Sequence, residues 1–303
     1  FITYLVSQVD RRYTAIQYAF LASLVIIPGT LLKGTSGFLT DSLGFYNFFL
    51  LMGLIGAPSI CLSYLLVKEF KFDMQNNLKS AFLSFMCKSS VTGLDAKSAR
   101  EYPAHLAYKT KIRVPKTMHA VERQKLLLAI ALGYETNIKN RDYGISKANF
   151  KKPLKMYSSK YAICVQNASW TSKQWPIEYW QEFLRILEKK DLKFLFPSGS
   201  QAELDRANEI CSVSQKAFAL EILPLDEIAF LIDNSEFAIC SDTGLAHLSA
   251  VVDTPSLTLY GPTDVSLIGT YGNNQNHFVS PNSDINKISV NDILRRMEEL
   301  NFI

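Results

Sequence analysis

The chain contains the run Ser241-Asp242-Thr243-Gly244-Leu245-Ala246-His247, and a strand-like apolar segment lies on either side of it. The first segment is Phe237-Ala238-Ile239-Cys240, and the second is Leu257-Thr258-Leu259-Tyr260, which continues into Gly261-Pro262-Thr263. Between them, residues 245–252 have the pattern of a short helix that begins just after Gly244. This part of the sequence therefore predicts a strand, a tight turn, a helix and a second strand.

The predicted turn has the properties of an anion-binding corner. Thr243 and Gly244 stand where the first, unbonded N–H groups of the helix meet the positive end of its dipole. Phosphate groups bind at such corners, and His247, one turn into the helix, is able to face the same anion. The alternative is that Asp242 or Thr243 only caps the helix and that His247 is a buried core residue.

The overall composition restricts the class of protein. The 303 residues are 48% hydrophobic, which is enough for two domains of ordinary size. The formal charge is +4, from 32 basic and 28 acidic residues, and no basic stripe interleaved with aromatic residues argues for a nucleic-acid partner. Five dispersed cysteines without CxxC spacing indicate reduced thiols and a cytosolic setting, and the scattered histidines indicate no metal site.

Strand-like and helix-like segments alternate over the second half of the chain. The predicted strands are 161–165, 193–196, 237–240 and 257–260, and the predicted helices are 176–189, 202–211, 225–232 and 245–252. Alternation of this kind predicts an α/β fold with a parallel, doubly wound sheet. Because ligands bind beyond the carboxyl ends of such strands, loops 166–175, 197–203 and 241–247 form the expected site.

The first two of these loops add polar groups that suit a nucleotide diphosphate. Ser169 and Lys173 are able to contact phosphate, and Glu203, at a helix start, is able to accept the hydroxyls of a ribose. Leu223 offers an apolar wall for a base ring. Two of these residues also have a simpler explanation, since Lys173 suits a solvated loop and Glu203 suits a helix dipole. GxGxxG and GxxxxGK[ST] motifs are absent from the sequence, so a dehydrogenase or a P-loop enzyme is not supported.

Residues 1–68 differ in composition from the rest of the chain. Two uncharged stretches, 13–32 and 45–67, are each about 20 residues or more in length, enough to span a bilayer core. Basic residues precede the first stretch and follow the second, which places both ends in the cytoplasm. We therefore expect an inner-membrane protein whose C-terminal domain lies on the cytoplasmic face. The alternative is two buried helices of a soluble domain.

Residues 1–66 resemble the end of a major-facilitator transporter of the muropeptide-permease type. The segments 10–19 and 34–39 carry the resemblance. Such a transporter has about a dozen spans arranged as two helical halves around a central site, so two spans alone are not expected to transport a substrate.

Residues 72–303 resemble the lipopolysaccharide heptosyltransferases of glycosyltransferase family 9. The matching runs are 99–101, 119–123, 173–176, 199–203, 242–247, 260–264 and 269–275. The resemblance implies a GT-B architecture of two facing Rossmann-like domains. It also implies that heptose moves, with inversion at its anomeric carbon, from ADP-heptose to the Kdo sugar of inner-core lipopolysaccharide on a Kdo-lipid A acceptor, without a cofactor.

The same resemblance implies roles for individual residues. The donor-binding residues would be Ser169, Lys173, Glu203, Leu223, Asp242, Thr243, Gly244 and His247. The acceptor-binding residues would be Lys79, Arg100 and Arg123, because the Kdo carboxylate and the lipid A phosphates need cations. Ala168 departs from the family pattern, which has a hydroxyl residue there, so one donor contact is expected to be lost.

The predicted domain order leaves the catalytic base unassigned. Residues 1–68 form a two-span membrane section, 69–134 a truncated acceptor-side domain, 135–160 a linker and 161–303 the donor-binding domain. In the family, an aspartate in an N-terminal Gly-Asp turn acts as the general base, and residues 1–68 show no counterpart of it. Since general acid–base catalysis contributes about 10²–10⁴ in rate, we expect impaired transfer. The alternatives are a membrane-tethered nucleotide-sugar binding module without turnover and a transporter fragment.

Overall fold

The structure is a computed structural model, and it describes residues 72–86, 90–154 and 159–303. The described residues form two compact units. The first contains the residues up to Pro115 together with Leu127–Gly133, and the second contains Lys116–Leu126 and the residues from Tyr134 to Ile303. The two predicted membrane spans and the transporter-like section lie outside the described residues. Within the described ranges, no helix is long and apolar enough to cross a membrane. The predicted domain boundaries stay a prediction.

The first unit contains a helix and two short parallel strands. Helix α1 spans Leu78–Met86, strand β1 Thr92–Leu94, a 3-10 turn Tyr102–Ala107 and strand β2 Thr110–Ile112. Helix α2 (Ala120–Leu132) is divided between the units, since only its part from Leu127 onward belongs to the first. Gly133 beyond it has a φ of +69°, a conformation that glycine adopts without strain. The ring of Tyr108 covers Gly93 so closely that a Cβ there would lie 2.4 Å from it.

The second unit is a layered α/β structure. Its strands are β3 (Tyr161–Val165), β4 (Lys193–Phe196), β5 (Ala217–Ala219), β6 (Ala238–Ser241), β7 (Ser256–Tyr260) and β8 (Gln275–Val279). Its helices are α3 (Ile177–Leu187), α4 (Gln201–Cys211), α5 (Leu225–Asp233), α6 (Gly244–Val251), α7 (Val265–Ile268) and α8 (Val290–Glu299). These elements confirm the predicted α/β class.

All six strands of the second unit are parallel, in the order β5-β4-β3-β6-β7-β8. The chain moves outward from β3 to β5, then returns to the other side of β3 and moves outward again to β8. This is the doubly wound order, and its direction reverses between β3 and β6. The sheet therefore has a switch point at that pair of strands, where a crevice opens beyond their carboxyl ends.

The sheet is covered on both faces, which explains the unbroken apolar runs of its central strands. In β3, Ala162 and Cys164 pack against one apolar cluster, while Tyr161, Ile163 and Val165 pack against another. The first cluster includes a set of buried aromatic rings, in which Trp175, Trp180 and Phe183 meet edge to face. Since successive side chains of a strand point to opposite faces of the sheet, and both faces are buried, a central strand needs apolar side chains on both faces.

Candidate functional site

A cavity of about 340 Å³ lies at the carboxyl ends of β3, β4 and β6. Its walls come from the three loops that the sequence indicated, together with the start of α5. It is lined by Val165, Asn167, Ala168, Ser169, Pro197, Ser198, Gly199, Glu203, Leu223, Leu225, Ile228, Thr243 and Leu245. Four of the predicted donor-binding residues, namely Ser169, Glu203, Leu223 and Thr243, are therefore brought together in one crevice.

The N-terminus of α6 opens toward free space. Thr243 is the N-cap residue in an extended conformation, and its side chain makes no capping hydrogen bond. A Cβ added to Gly244 would meet no atom within 4 Å. Thr243 therefore occupies the N-cap position without a side-chain cap, and the first N–H groups of α6 remain available for an anion.

An ion pair joins the loops that follow β3 and β6. Lys173 Nζ lies 2.7 Å from Asp242 Oδ2, and the two side chains are 21% and 7% exposed. The Thr263 hydroxyl donates a hydrogen bond to the same carboxylate oxygen. Lys173 also lies over the ring of Trp170, 5.5 Å from its centroid. These contacts hold the ammonium group of Lys173 beside the corner formed by Thr243 and Gly244.

His247 is an exposed residue on the first turn of α6, so it is not a core histidine. Desolvation lowers its pKa from the ordinary value, and the charges of His119 and Lys173 add to that effect. The carboxylate of Asp242 acts in the opposite direction. His247 is therefore mainly neutral at pH 7, and a bound anion would favour its protonated form.

Glu203 has a structural task as well as a place in the cavity wall. The Ser200 hydroxyl caps α4 by accepting a hydrogen bond from the Glu203 N–H at 3.3 Å. The carboxylate of Glu203 in turn accepts the N–H of Gly199 at 2.7 Å. This reciprocal arrangement resembles a capping box, and it fixes the direction of the carboxylate. The dipole explanation and a ligand-binding role are thus compatible.

Sequence reasoning missed Arg206, which fastens both ends of the loop that carries Ser169 and Lys173. Its Nε donates to Gln166 Oε1 at 2.6 Å, and its second guanidinium nitrogen donates to the Trp175 carbonyl at 2.8 Å. Gln166 Nε2 also donates to the Glu203 carbonyl at 3.1 Å. An arginine in a helix gives no sequence signal for such bonds.

Two further residues bear on the shape of the site. A Cβ on Gly261 would lie 3.0 Å from the Ser172 carbonyl oxygen, so the loop after β7 packs directly on the loop after β3. Ala168, the departure from the family pattern, lines the cavity and offers it a methyl group in place of a hydroxyl.

The predicted acceptor-binding residues do not lie in one unit. Lys79 and Arg100 are both exposed in the first unit. The N–H of Leu78 donates to Glu101 Oε2 at 2.8 Å, so the sequence neighbours of the two residues are in contact. Arg123, which is partly buried, belongs to the second unit.

The chain is similar to known heptosyltransferases over most of its length. The family model described as glycosyltransferase family 9 (heptosyltransferase) matches residues 67–297. Lipopolysaccharide heptosyltransferase 1 of Escherichia coli O18:K1:H7 is 34% identical over 232 residues, which are 75% of this chain and 70% of that protein. The Salmonella typhimurium protein of the same name is 33% identical over 226 residues, covering 74% of this chain and 71% of that one.

Solved structures support the same assignment. The structure of Escherichia coli heptosyltransferase WaaC with ADP has a TM-score of 0.71 and 30% identity, and it covers 80% of this chain and 78% of that one. Escherichia coli heptosyltransferase II, with a TM-score of 0.60 and 17% identity over 76% of this chain and 75% of that one, shows the shared fold alone. The matched part has a GT-B-like α/β fold. The chain is a member of glycosyltransferase family 9, the heptosyltransferases.

Proposed function

We propose that the cavity of the second unit binds the ADP part of ADP-heptose, and that the chain passes the heptose to the Kdo sugar of inner-core lipopolysaccharide. The observation that carries the proposal is the position of the cavity, which lies at the switch point of a doubly wound sheet beside an open helix N-terminus. The relatives named above are lipopolysaccharide heptosyltransferases, and one of them was solved with ADP.

In this proposal the diphosphate lies against the start of α6. The N–H groups at Thr243 and Gly244 donate to its oxygens, and Ser169 and His247 add side-chain hydrogen bonds. Lys173 contributes positive charge that its pairing with Asp242 keeps in place. That pair is close to neutral as it stands, so the dianionic ligand gains attraction mainly from the helix end and from protonation of His247.

The nucleoside lies across the remainder of the cavity. The carboxylate of Glu203, held by the Gly199 N–H, accepts hydroxyl groups of the ribose. The base lies on the apolar wall that includes Leu223 and Ile228. A wall of this kind supplies burial without selecting a hydrogen-bonding pattern, so the sugar hydroxyls and phosphates provide the orientation.

On the acceptor side, we propose that Lys79, Arg100 and Arg123 attract the Kdo carboxylate and the lipid A phosphates at the inner membrane. The transfer itself inverts the anomeric carbon: the acceptor oxygen bonds to it as the bond to the ADP oxygen breaks. The acceptor proton passes to solvent water, whereas a relative with the base would take it up on that carboxylate. Because residues 1–68 show no counterpart of the base-bearing turn of the family, we propose slow turnover, about 10²–10⁴-fold below that of a relative with the base.

The first experiment measures ADP binding to the full chain by isothermal titration calorimetry. We expect saturable binding, and we expect Lys173→Met to weaken it by about ten- to hundredfold, since the Asp242 carboxylate would then stand unpaired beside the negatively charged diphosphate. Lys189→Met is the matched control, because Lys189 is exposed just beyond the C-terminal end of α3. Absence of ADP uptake by the folded wild-type chain would contradict the proposal.

A second measurement separates transfer from binding alone. Radiolabelled heptose is supplied as ADP-heptose together with a Kdo-lipid A acceptor, and the Escherichia coli relative is assayed alongside. Slow label transfer supports the glycosyltransferase proposal. ADP binding without any transfer supports the alternative of a nucleotide-sugar binding module, and a chain that does neither fits the transporter fragment.

A further inference from the structure

Two side chains in the cavity wall carry buried polar atoms without a hydrogen-bond partner. Within the described residues, Asn167 Nδ2 and Ser198 Oγ are among the few such atoms. Both residues line the cavity, and they are only 8% and 5% exposed. Buried polar groups in native proteins almost always have a partner, because leaving one unpaired costs free energy. A shared position in one cavity suggests a shared partner.

The two residues lie next to each other in the fold. Asn167 follows the end of β3 and Ser198 follows the end of β4, and these strands are hydrogen-bonded neighbours in parallel register. Each residue is also adjacent in sequence to one that contacts Glu203. The side chain of Gln166 donates to the Glu203 carbonyl, and the N–H of Gly199 donates to its carboxylate. Asn167 and Ser198 therefore flank the predicted ribose acceptor.

The side chains of Glu203, Asn167 and Ser198 favour a ligand's hydroxyl groups over its phosphate groups. The carboxylate of Glu203 repels an anion, whereas a hydroxyl donates to the carboxylate and accepts from the Asn167 amide or the Ser198 hydroxyl at the same time. Phosphate is better placed at the start of α6. A ribose, with two neighbouring hydroxyls, offers both kinds of hydrogen bond at once.

We propose that Asn167 and Ser198 are specificity-determining residues that hydrogen-bond the 2′- and 3′-hydroxyls of the donor ribose together with Glu203. The proposal rests on the proposed function, since it assumes that ADP occupies this cavity. It assigns the ribose recognition to three side chains, where the sequence indicated Glu203 alone. It also gives a hydrogen-bond partner to two buried polar atoms that have none within the protein.

The test compares ADP with 2′,3′-dideoxy-ADP, which lacks both hydroxyls, by calorimetry on the full chain. We expect Ser198→Ala and Asn167→Ala each to weaken ADP binding by about three- to tenfold, the range of one neutral hydrogen bond. The affinity for dideoxy-ADP should stay at the wild-type level in both variants. Ser198→Ala should also leave the melting temperature of the ligand-free chain unchanged or raised, because it removes an unpaired buried hydroxyl.

Thr258→Val serves as the matched control. Thr258 Oγ1 is also buried without a partner, but it lies within β7 and does not line the cavity. This variant should bind both nucleotides as the wild type does. If the cavity variants bind ADP with wild-type affinity, or lose affinity for both nucleotides equally, the ribose assignment is overturned and the proposed function stands. If the wild-type chain binds neither nucleotide, the proposed function fails and the inference fails with it.

Discussion

Several side chains of the site combine a structural bond with a position that suits a ligand. Asp242 forms an ion pair with Lys173 and accepts a hydrogen bond from the Thr263 hydroxyl, so it fixes the positions of the loops that carry these two residues. Glu203 does the same at the start of α4 through Gly199. Preorganisation of this kind lowers the entropic cost of binding, because few side chains must be ordered when the nucleotide enters. At Glu203 the structural explanation is confirmed by these bonds, and the ribose-binding role stays a proposal that is compatible with them.

At His247 the structure leads to a prediction about protons. Its pKa is lowered, mainly by desolvation, and a diphosphate alongside it would raise that pKa. Binding should therefore take up protons, and the His247 contribution to ADP affinity should be complete below the free-state pKa. That contribution should disappear as the pH rises through the pKa of the complex.

Calorimetry in buffers of different ionisation enthalpy measures this uptake directly. The phosphate groups of ADP also take up or release protons, so the relevant quantity is the difference between wild type and His247→Asn. We expect a larger proton uptake in the wild type between pH 6 and 7.5, a range around the ordinary histidine pKa of about 6.5. Equal uptake by the two proteins would show that His247 does not face the ligand.

At the scale of elements, the sequence predicts the centre of the sheet better than its edges. Strands β3 and β4 have the bounds that their apolar runs predict, and β6 and β7 differ from prediction by one residue. Strands β5 and β8 were not predicted. Each pairs with a neighbour on one side only and is less buried than the central strands. The sequence of β8, Gln-Asn-His-Phe-Val, is accordingly a mixed pattern without an apolar run. Edge strands depend on tertiary pairing that local sequence does not express.

Arg206 on α4 gives a prediction that belongs to the packing of elements. Replacing it with Met should remove its bonds to Gln166 and to the Trp175 carbonyl, and thereby free both ends of the loop that carries Lys173. We expect the free energy of unfolding to fall by about 1.5–3 kcal/mol, the range for hydrogen bonds to a charged group. ADP affinity should fall as well, although Arg206 itself does not line the cavity.

Denaturant unfolding and ADP titration together check this positioning role. Arg206→Lys should restore part of the stability, because one charge-assisted bond can form but the planar fork cannot. Arg185→Met on the exposed side of α3 is the control, and it should change neither quantity. A variant at 206 that loses stability but keeps the wild-type ADP affinity would show that the loop does not need this anchor.

At the scale of the whole molecule, the sequence predicts the fold class and the three loops that meet, but not how their atoms are paired. The parallel alternation of strands and helices places loops 166–175, 197–203 and 241–247 at one edge, and the structure confirms that they form one cavity. The strand order around the switch point, the Lys173–Asp242 pair and the unpaired atoms of Asn167 and Ser198 depend on contacts between distant segments. Local pattern contains no information about those contacts.

A prediction for the whole second unit follows from the position of the cavity between its central strands. Any opening that exposes β3 and β6 must separate the loops that follow them, and so must release a nucleotide bound there. At free ADP about 100-fold above Kd, binding should add about 2.7 kcal/mol to the free energy of that opening. Amide hydrogen exchange at Ile163 and Ile239, in the centres of β3 and β6, should then slow by about 100-fold. Lys173→Met at the same free ADP concentration should show less protection, in proportion to its weaker binding. If saturating ADP leaves the exchange of both strands unchanged, the nucleotide does not bind at the switch point.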